Sequence, residues 1–240
     1  MIKKISIYLF FPLFIGFLLL IYSFSGHRNA AKKIMKVEVR FDGGANPFLT
    51  HESVNKLLIQ NEAPVLNQPK RVIDLHGLEN VVLSNPFVEK ADVFLTPNGT
   101  LKTQIKQREP LARIISDKEM YYIDRYGVKM PMSESYSARV PLVKGVLTKR
   151  DVEEVRQLVV RCNADDFFKK EIIAIHKLET KEFLFDVRSG DYQINFGRFT
   201  RINQKIKKIK AFYNKALLDN TINDYKMINV KYHNQVVCTK

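Results

Sequence analysis

The sequence predicts an α+β fold carried behind a single N-terminal transmembrane helix. Three observations predict it. Ile5 to Phe24 is an apolar run without a charged residue, and the patterns from Val37 to Arg108 read strand, helix, helix, strand, strand. From Glu109 to Lys240 short strand patterns dominate, with helices set among them as in a mixed β domain.

The apolar run, ISIYLFFPLFIGFLLLIYSF, opens directly after Lys3 and Lys4. A helix needs roughly 20 apolar residues to cross a hydrocarbon core of about 30 Å, and a lone segment in lipid must satisfy its own backbone. Pro12 costs one intrahelical bond and is tolerated in such helices. A cleavable signal peptide is the competing reading, and Ser23-Phe24-Ser25 offers small residues ahead of a cut before Gly26. Signal peptides usually have an apolar region of about 7–15 residues, so length favours a retained anchor. His27, Arg28, Lys32 and Lys33 make the basic count larger on the C-terminal side, against a cytoplasmic amino terminus. Four residues with two lysines ahead of an apolar run nevertheless have the form of a signal-anchor, and long domains cross largely regardless of charge. The body is therefore expected outside the cytoplasm.

Gly26 to Lys36 is polar and basic, as in a juxtamembrane linker. Val37 to Phe41 alternates apolar and polar residues, which predicts a half-buried strand ended by Asp42-Gly43-Gly44. Thr50 reads as an N-cap, with Leu49 and Val54 placed for a hydrophobic staple and Val54, Leu57 and Leu58 as the buried stripe. Pro64 and Pro69 mark a loop. Asp74 can cap a second helix carrying Leu75, Leu78 and Val82, stopped by Asn85-Pro86. The next two strands can be registered. A two-residue Asn98-Gly99 turn would set Leu95 opposite Lys102 and mix the faces. A three-residue loop, Pro97-Asn98-Gly99, sets Leu95 against Leu101, Val93 against Thr103 and Ala91 against Ile105, and keeps one face apolar.

Beyond Glu109-Pro110 strands are expected at Ala112 to Ser116 and Met120 to Asp124 around Asp117-Lys118, and at Val128 to Met130 after Tyr126-Gly127. Ser133 to Ser137 is a polar loop, and Val140 to Val143 is a short apolar segment ending at Gly145. Thr148 can cap a helix with Val152, Val155, Leu158 and Val159 on one face. Ile172 to Leu178, Phe183 to Val187 and Tyr192 to Phe196 read as strands. Arg201 to Leu218 is a basic amphipathic helix: Ile202, Ile206, Ile209 and Tyr213 face a core, with Lys205, Lys208 and Lys215 on a solvated face. In Tyr225 to Tyr232 the residues Ile228, Val230 and Tyr232 alternate inward, His233-Asn234 turns, and Gln235 to Lys240 forms a last strand. Such a strand has an open edge whose unpaired backbone groups a partner strand can extend; a frayed tail blunted by Lys240 is the structural alternative.

Composition narrows the function. A hydrophobic share of 45% and a charged share of 27% are those of an ordinary globular chain. Two cysteines, Cys162 and Cys238, exclude a disulfide-built scaffold, and spacing alone leaves pairing or two free thiols open. The net charge of +14 allows nucleic acid, an anionic membrane surface or an acidic partner, but the positives are spread along the chain without an arginine-rich tract. A body outside the cytoplasm makes nucleic acid the weakest of these. No helical zinc pair, nucleophile elbow, Walker loop or Cys-x-x-Cys occurs, and Glu153-Glu154 and Asp165-Asp166 read as caps or surface.

An ordered series of motifs now stands out. Asn85-Pro86-Phe87-Val88 is followed by Ala91, Val93 and Leu95, by Gly99-Thr100-Leu101, and by Gln107-Arg108-Glu109-Pro110-Leu111-Ala112. Tyr122-Ile123-Asp124, Gly127-Val128, Pro141-Leu142-Val143 and Gly145 continue it. The series resembles the cell-division FtsQ/DivIB family and looks most like its Bacteroidota branch. The resemblance covers nearly the whole chain, with two departures: the chain has no Trp, and the tail before the apolar run is only four residues. It implies a cytoplasmic tail at residues 1–4, a transmembrane helix at 5–24, a linker at 25–36, a POTRA domain at 37–108 and a β domain at 109–240. It further implies a non-catalytic bitopic scaffold of the divisome, in the inner membrane at the division site. Its body would be periplasmic and would support septal peptidoglycan synthesis. FtsB- and FtsL-type proteins are the partners it implies, with no cofactor, nucleic acid or small-molecule substrate. A membrane-anchored envelope enzyme and a POTRA-type envelope chaperone are the alternatives. The family's FtsB site lies at the matching C-terminal edge, which names Tyr232, Gln235, Val236 and Val237 as partner-binding residues.

Overall fold

The computed structural model describes residues 2–43, 48–60, 63–116, 119–134, 136–146 and 148–240, with backbone alone at 2–10, 60, 63 and 64. Gly44 and the expected Asp117-Lys118 turn lie outside the described residues. The chain divides into two units, Met1–Gln107 and Arg108–Lys240, each with its own apolar core.

The first unit opens with α1 (Ile2–Ala31), a 30-residue helix containing Pro12. Within it, Phe11–Ala31 is long and apolar enough to cross a membrane. The stretch expected as a linker departs from expectation at both ends. Nothing at Gly26 breaks the helix, which continues through Ala31, and Ile34 is then fully buried in the first core. Strand β1 (Lys36–Asp42) follows, then α2 (His51–Leu57), whose N-cap Thr50 exchanges hydrogen bonds with Ser53 as a capping box. Leu49 and Val54 are both buried, as a staple requires, whereas Leu57 stays half-exposed. Pro64 belongs to a short ladder, β2 (Ile59–Gln60) with β3 (Ala63–Pro64), rather than to open loop. A 3-10 turn at Lys70–Val72 leads to α3 (Leu75–Leu83), where Asp74 Oδ1 accepts from the Gly77 amide at 2.9 Å.

Strands β4 (Val88–Leu95) and β5 (Thr100–Gln107) form the expected hairpin, with Leu95 opposite Leu101, Val93 opposite Thr103 and Ala91 opposite Ile105. The Thr96 amide closes the Pro97-Asn98-Gly99 loop on the Thr100 carbonyl at 2.9 Å. Gly99 is needed twice over: its φ is +84°, and a Cβ there would stand 2.7 Å from the Lys33 carbonyl oxygen. β1 runs parallel to β5, giving the sheet order β1-β5-β4. Apolar residues of α2 and α3 pack on this sheet through Val54, Leu78 and Val82.

The second unit is built on one nine-stranded sheet. Its strands are β6 (Pro110–Ile115), β7 (Met120–Asp124), β8 (Lys129–Pro131), β9 (Leu142–Lys144), β10 (Ile172–Lys177), β11 (Glu182–Val187), β12 (Gln193–Arg198), β13 (Met227–Asn229) and β14 (Val237–Thr239). Their order is β14-β13-β12-β11-β10-β9-β6-β7-β8, so β14 and β8 are the edges. Among the described residues three α-helices accompany it: α4 (Lys149–Asn163), α5 (Asp166–Glu171) and α6 (Ile202–Leu218). Thr148 and Asp151 form a capping box on α4, and Asp165 caps α5 through the Phe167 amide at 3.0 Å. One core joins Val155, Leu158 and Val159 of α4 and Ile209 and Tyr213 of α6 to Phe183, Phe185, Ile194 and Phe196 of the sheet. β9 is inserted parallel to both β6 and β10. It ends at Gly145 (φ +77°), where a Cβ would collide with the Lys177 carbonyl oxygen at 1.9 Å. The Lys177 ammonium, itself buried, donates to Asp151 and to Glu154 Oε2 (2.7 Å) and so ties α4 to β10.

Candidate partner-binding edge

The chain's last strand is shorter than the alternation predicts. β13 and β14 pair antiparallel through three residues each, with Ile228 opposite Cys238 and Asn229 opposite Val237. Residues 230–236 form a loop between them rather than a tight His233-Asn234 turn. Ile228 and Val230 are fully buried, as alternation requires, but Tyr232 is 44% exposed and does not face inward. The Val230 amide donates to the Asn195 carbonyl of β12 at 3.0 Å, the last rung of the parallel β12–β13 ladder, and beyond it Tyr232 pairs with no strand among the described residues.

The four residues named from sequence come together on this stretch but play different parts. Gln235 is exposed, Val236 packs half-buried against the core, and Val237 opens β14 with 38% exposure. β14 lies at the sheet's edge, so one side of its backbone faces no strand of this chain among the described residues.

Sequence reasoning missed the groups that shape this edge. Lys215 is exposed as expected, but Lys205 is buried and Lys208 is half-buried against the loop. Lys205 is only 5% exposed; its ammonium donates to the Arg198 carbonyl at 2.6 Å and sits 4.9 Å from the Phe196 ring centroid. Lys208 donates to the carbonyls of Val230 (2.8 Å), Tyr232 and His233 (3.4 Å), clamping the loop from beneath. Arg201, in the left-handed conformation at φ 50°, donates to His233 Nδ1. That backbone costs a non-glycine residue about 1–2 kcal/mol. Lys231 approaches Glu182 at 3.4 Å. Burial, with Lys208 and Arg201 adding repulsion, pushes the Lys205 ammonium down to about 8, and burial likewise lowers Lys208. The signal was present as the spacing 201, 205, 208 along one helix face; what that face meets is a tertiary fact.

Other polar groups brace the same unit. His176 Nε2 meets Asp186 Oδ2 at 2.7 Å, and Gln193 donates to the other Asp186 oxygen at 2.7 Å. Buried Glu171 accepts from Ser189 and from the Tyr213 hydroxyl at 3.3 Å. Cys162 and Cys238 are both free thiols, and burial pushes Cys162 up to about 12. Among the described residues no three His, Cys, Asp or Glu side chains are placed to hold a metal ion.

A helix long and apolar enough to cross a membrane, ahead of a small three-stranded α+β unit, is the form of a membrane-anchored domain protein, and residues 33–106 match the POTRA-like domain family. Residues 109–239, more than half the chain, match the family described as FtsQ/DivIB, C-terminal related. The chain belongs to that family. It is also similar to the cell division protein FtsQ of Rhodothermus marinus, at 25% identity over 169 residues. The similarity spans 65% of this chain and 62% of that relative.

Proposed function

We propose that this protein is a non-catalytic, single-pass scaffold of the bacterial division machinery. Residues 37–108 serve as its POTRA domain and 109–240 as its β domain, both in the periplasm. The β domain docks FtsB- and FtsL-type partners and so links early to late division proteins during septal peptidoglycan synthesis. The observation that carries this reading is the family match over residues 109–239. The edge geometry supports the site. β14 is an end strand, the clamp from α6 holds the loop before it in one shape, and Val237 is available for pairing. A partner strand would gain affinity from backbone bonds and selectivity from alternate side chains.

Depletion tests the role: cells losing the protein should grow as filaments with unfinished septa, and normal division would overturn it. A pull-down tests the edge. Val236 precedes the β13–β14 ladder, so Val236→Pro removes an amide donor while leaving that ladder's three residue pairs in place. The variant should insert in the membrane normally and capture an FtsB-type partner at least about tenfold more weakly, the loss of one to two backbone bonds. Unchanged capture would move the docking site elsewhere.

A further inference from the structure

The junction between α1 and the rest of the first unit is short, tied and basic. Past Ala31 the chain has no slack: Lys33 bridges Pro69, the Ile34 amide donates to the Gln68 carbonyl at 2.9 Å, and the Met35 amide donates to the Gly99 carbonyl at 2.8 Å. The Lys70–Val72 turn and the hairpin tip are therefore drawn against the last turns of the helix. Lys70 fastens all three, donating to Asn29 Oδ1 (3.2 Å) and to the carbonyls of Thr96 (2.7 Å) and Pro97 (3.0 Å).

The depth of this junction follows from helix geometry. With the hydrocarbon edge at Phe24, Arg28 and Lys32 stand about 6 and 12 Å further along, at 1.5 Å per residue. The headgroup layer adds roughly 5–8 Å to each side of the core, so Arg28 lies within it and Lys32 a few Å beyond it, near enough for its long side chain to reach back. Both line a groove of about 720 Å³ whose other walls include Leu20, Ile21, Phe24 and Pro97. Lys70 and Arg71 line an adjoining groove of about 370 Å³.

The charge here is one-sided. No acidic residue precedes Glu38, and none occurs in 63–73 or 96–100. Among the described residues Arg28, Lys32 and Arg71 form no ion pair. Burial, with the nearby charge of Lys32, lowers the pKa of Lys70. A surface with this charge, beside an apolar wall at headgroup depth, fits an amphiphile that carries a negative phosphate.

We propose that the junction binds an anionic phospholipid, with its acyl chain along Leu20, Ile21 and Phe24 and its phosphate held by Arg28, Lys32 and Arg71. The bound headgroup seats the first unit on the bilayer surface. This rests on α1 spanning a membrane and on no division partner, so failure of partner binding leaves it untouched.

Native mass spectrometry of the full chain in neutral detergent, with equal phosphatidylglycerol and phosphatidylcholine, tests it. Each basic side chain at a membrane surface favours an anionic lipid roughly fivefold. The chain should retain phosphatidylglycerol at least about tenfold over phosphatidylcholine. The triple change Arg28→Gln, Lys32→Gln and Arg71→Gln should bring the two to parity while the chain still resists carbonate extraction from membranes. Removing equal charge from the second unit, by Lys149→Gln, Lys169→Gln and Lys207→Gln, should leave the preference intact. Equal retention of the two lipids, equal loss in the control triple, or displacement by millimolar inorganic phosphate would each overturn it. Amide exchange on the unsubstituted chain gives an independent reading: Lys70–Val72 should exchange more slowly in nanodiscs of phosphatidylglycerol than of phosphatidylcholine, and equal rates would sink the proposal.

Discussion

Lys205 is a cation placed where water hardly reaches. It keeps one carbonyl acceptor and the face of Phe196 in exchange for its hydration, and burial lowers its pKa to about 8. In the unfolded chain the same ammonium titrates at the ordinary lysine value of about 10.4. Between those values the unfolded state binds the extra proton, so stability contributed by this group rises with pH. Below about pH 8 both states are charged and the burial penalty is at its full size. The wild type should therefore gain on a Lys205→Met variant, by on the order of 1–2 kcal/mol, as pH rises from 7 to 10.5. Denaturant melts of both chains across that range check it; a pH-independent difference would mean that the ammonium is solvated.

At the scale of elements, the β14 edge owes its form to α6 more than to its own residues. β14 contributes only three residues to a ladder, and a strand that short holds little by itself. Lys208 reaches up from the helix to three carbonyls of the preceding loop, and bonds to a charged donor contribute about 1.5–3 kcal/mol each before losses. Lys208→Met should keep the helix and core, since the stem still packs, but free the loop. Amides of 230–236 should then exchange at least about tenfold faster while those of β10 to β12 stay protected. Unchanged exchange would show that Val230 and Val236 anchor the loop unaided.

For the whole molecule, the basic residues on the C-terminal side of α1 oppose the direction in which a body of more than two hundred residues is proposed to lie. Charge bias acts through short loops, and long domains translocate largely regardless of it. If the orientation follows the signal-anchor form, a reporter active only outside the cytoplasm, fused after Lys240, will be active. A stable but inactive fusion would place both units in the cytoplasm and overturn the scaffold reading as a whole.

Much of this protein is legible from local pattern. The apolar run, the caps at Thr50, Asp74 and Thr148, and the hairpin register around Pro97-Asn98-Gly99 depend on neighbours in sequence, and each stands in the structure as local chemistry requires. The ordered motifs also carried the family. What lies beyond local pattern is the destination of each face. Lys205 looks like a solvated lysine because nothing near it in the chain announces Phe196 or the Arg198 carbonyl. Tyr232 continues an alternation that its strand abandons two residues earlier, because the β12–β13 ladder has its last rung at the Val230 amide and the loop beyond is held by α6 instead. The basic stretch after the apolar run reads as linker until Ile34 is seen buried in a core formed by residues far along the chain. Periodicity reports which side of an element is apolar; only packing decides which polar groups are taken out of water with it, and at the β14 edge those are the groups that shape the loop.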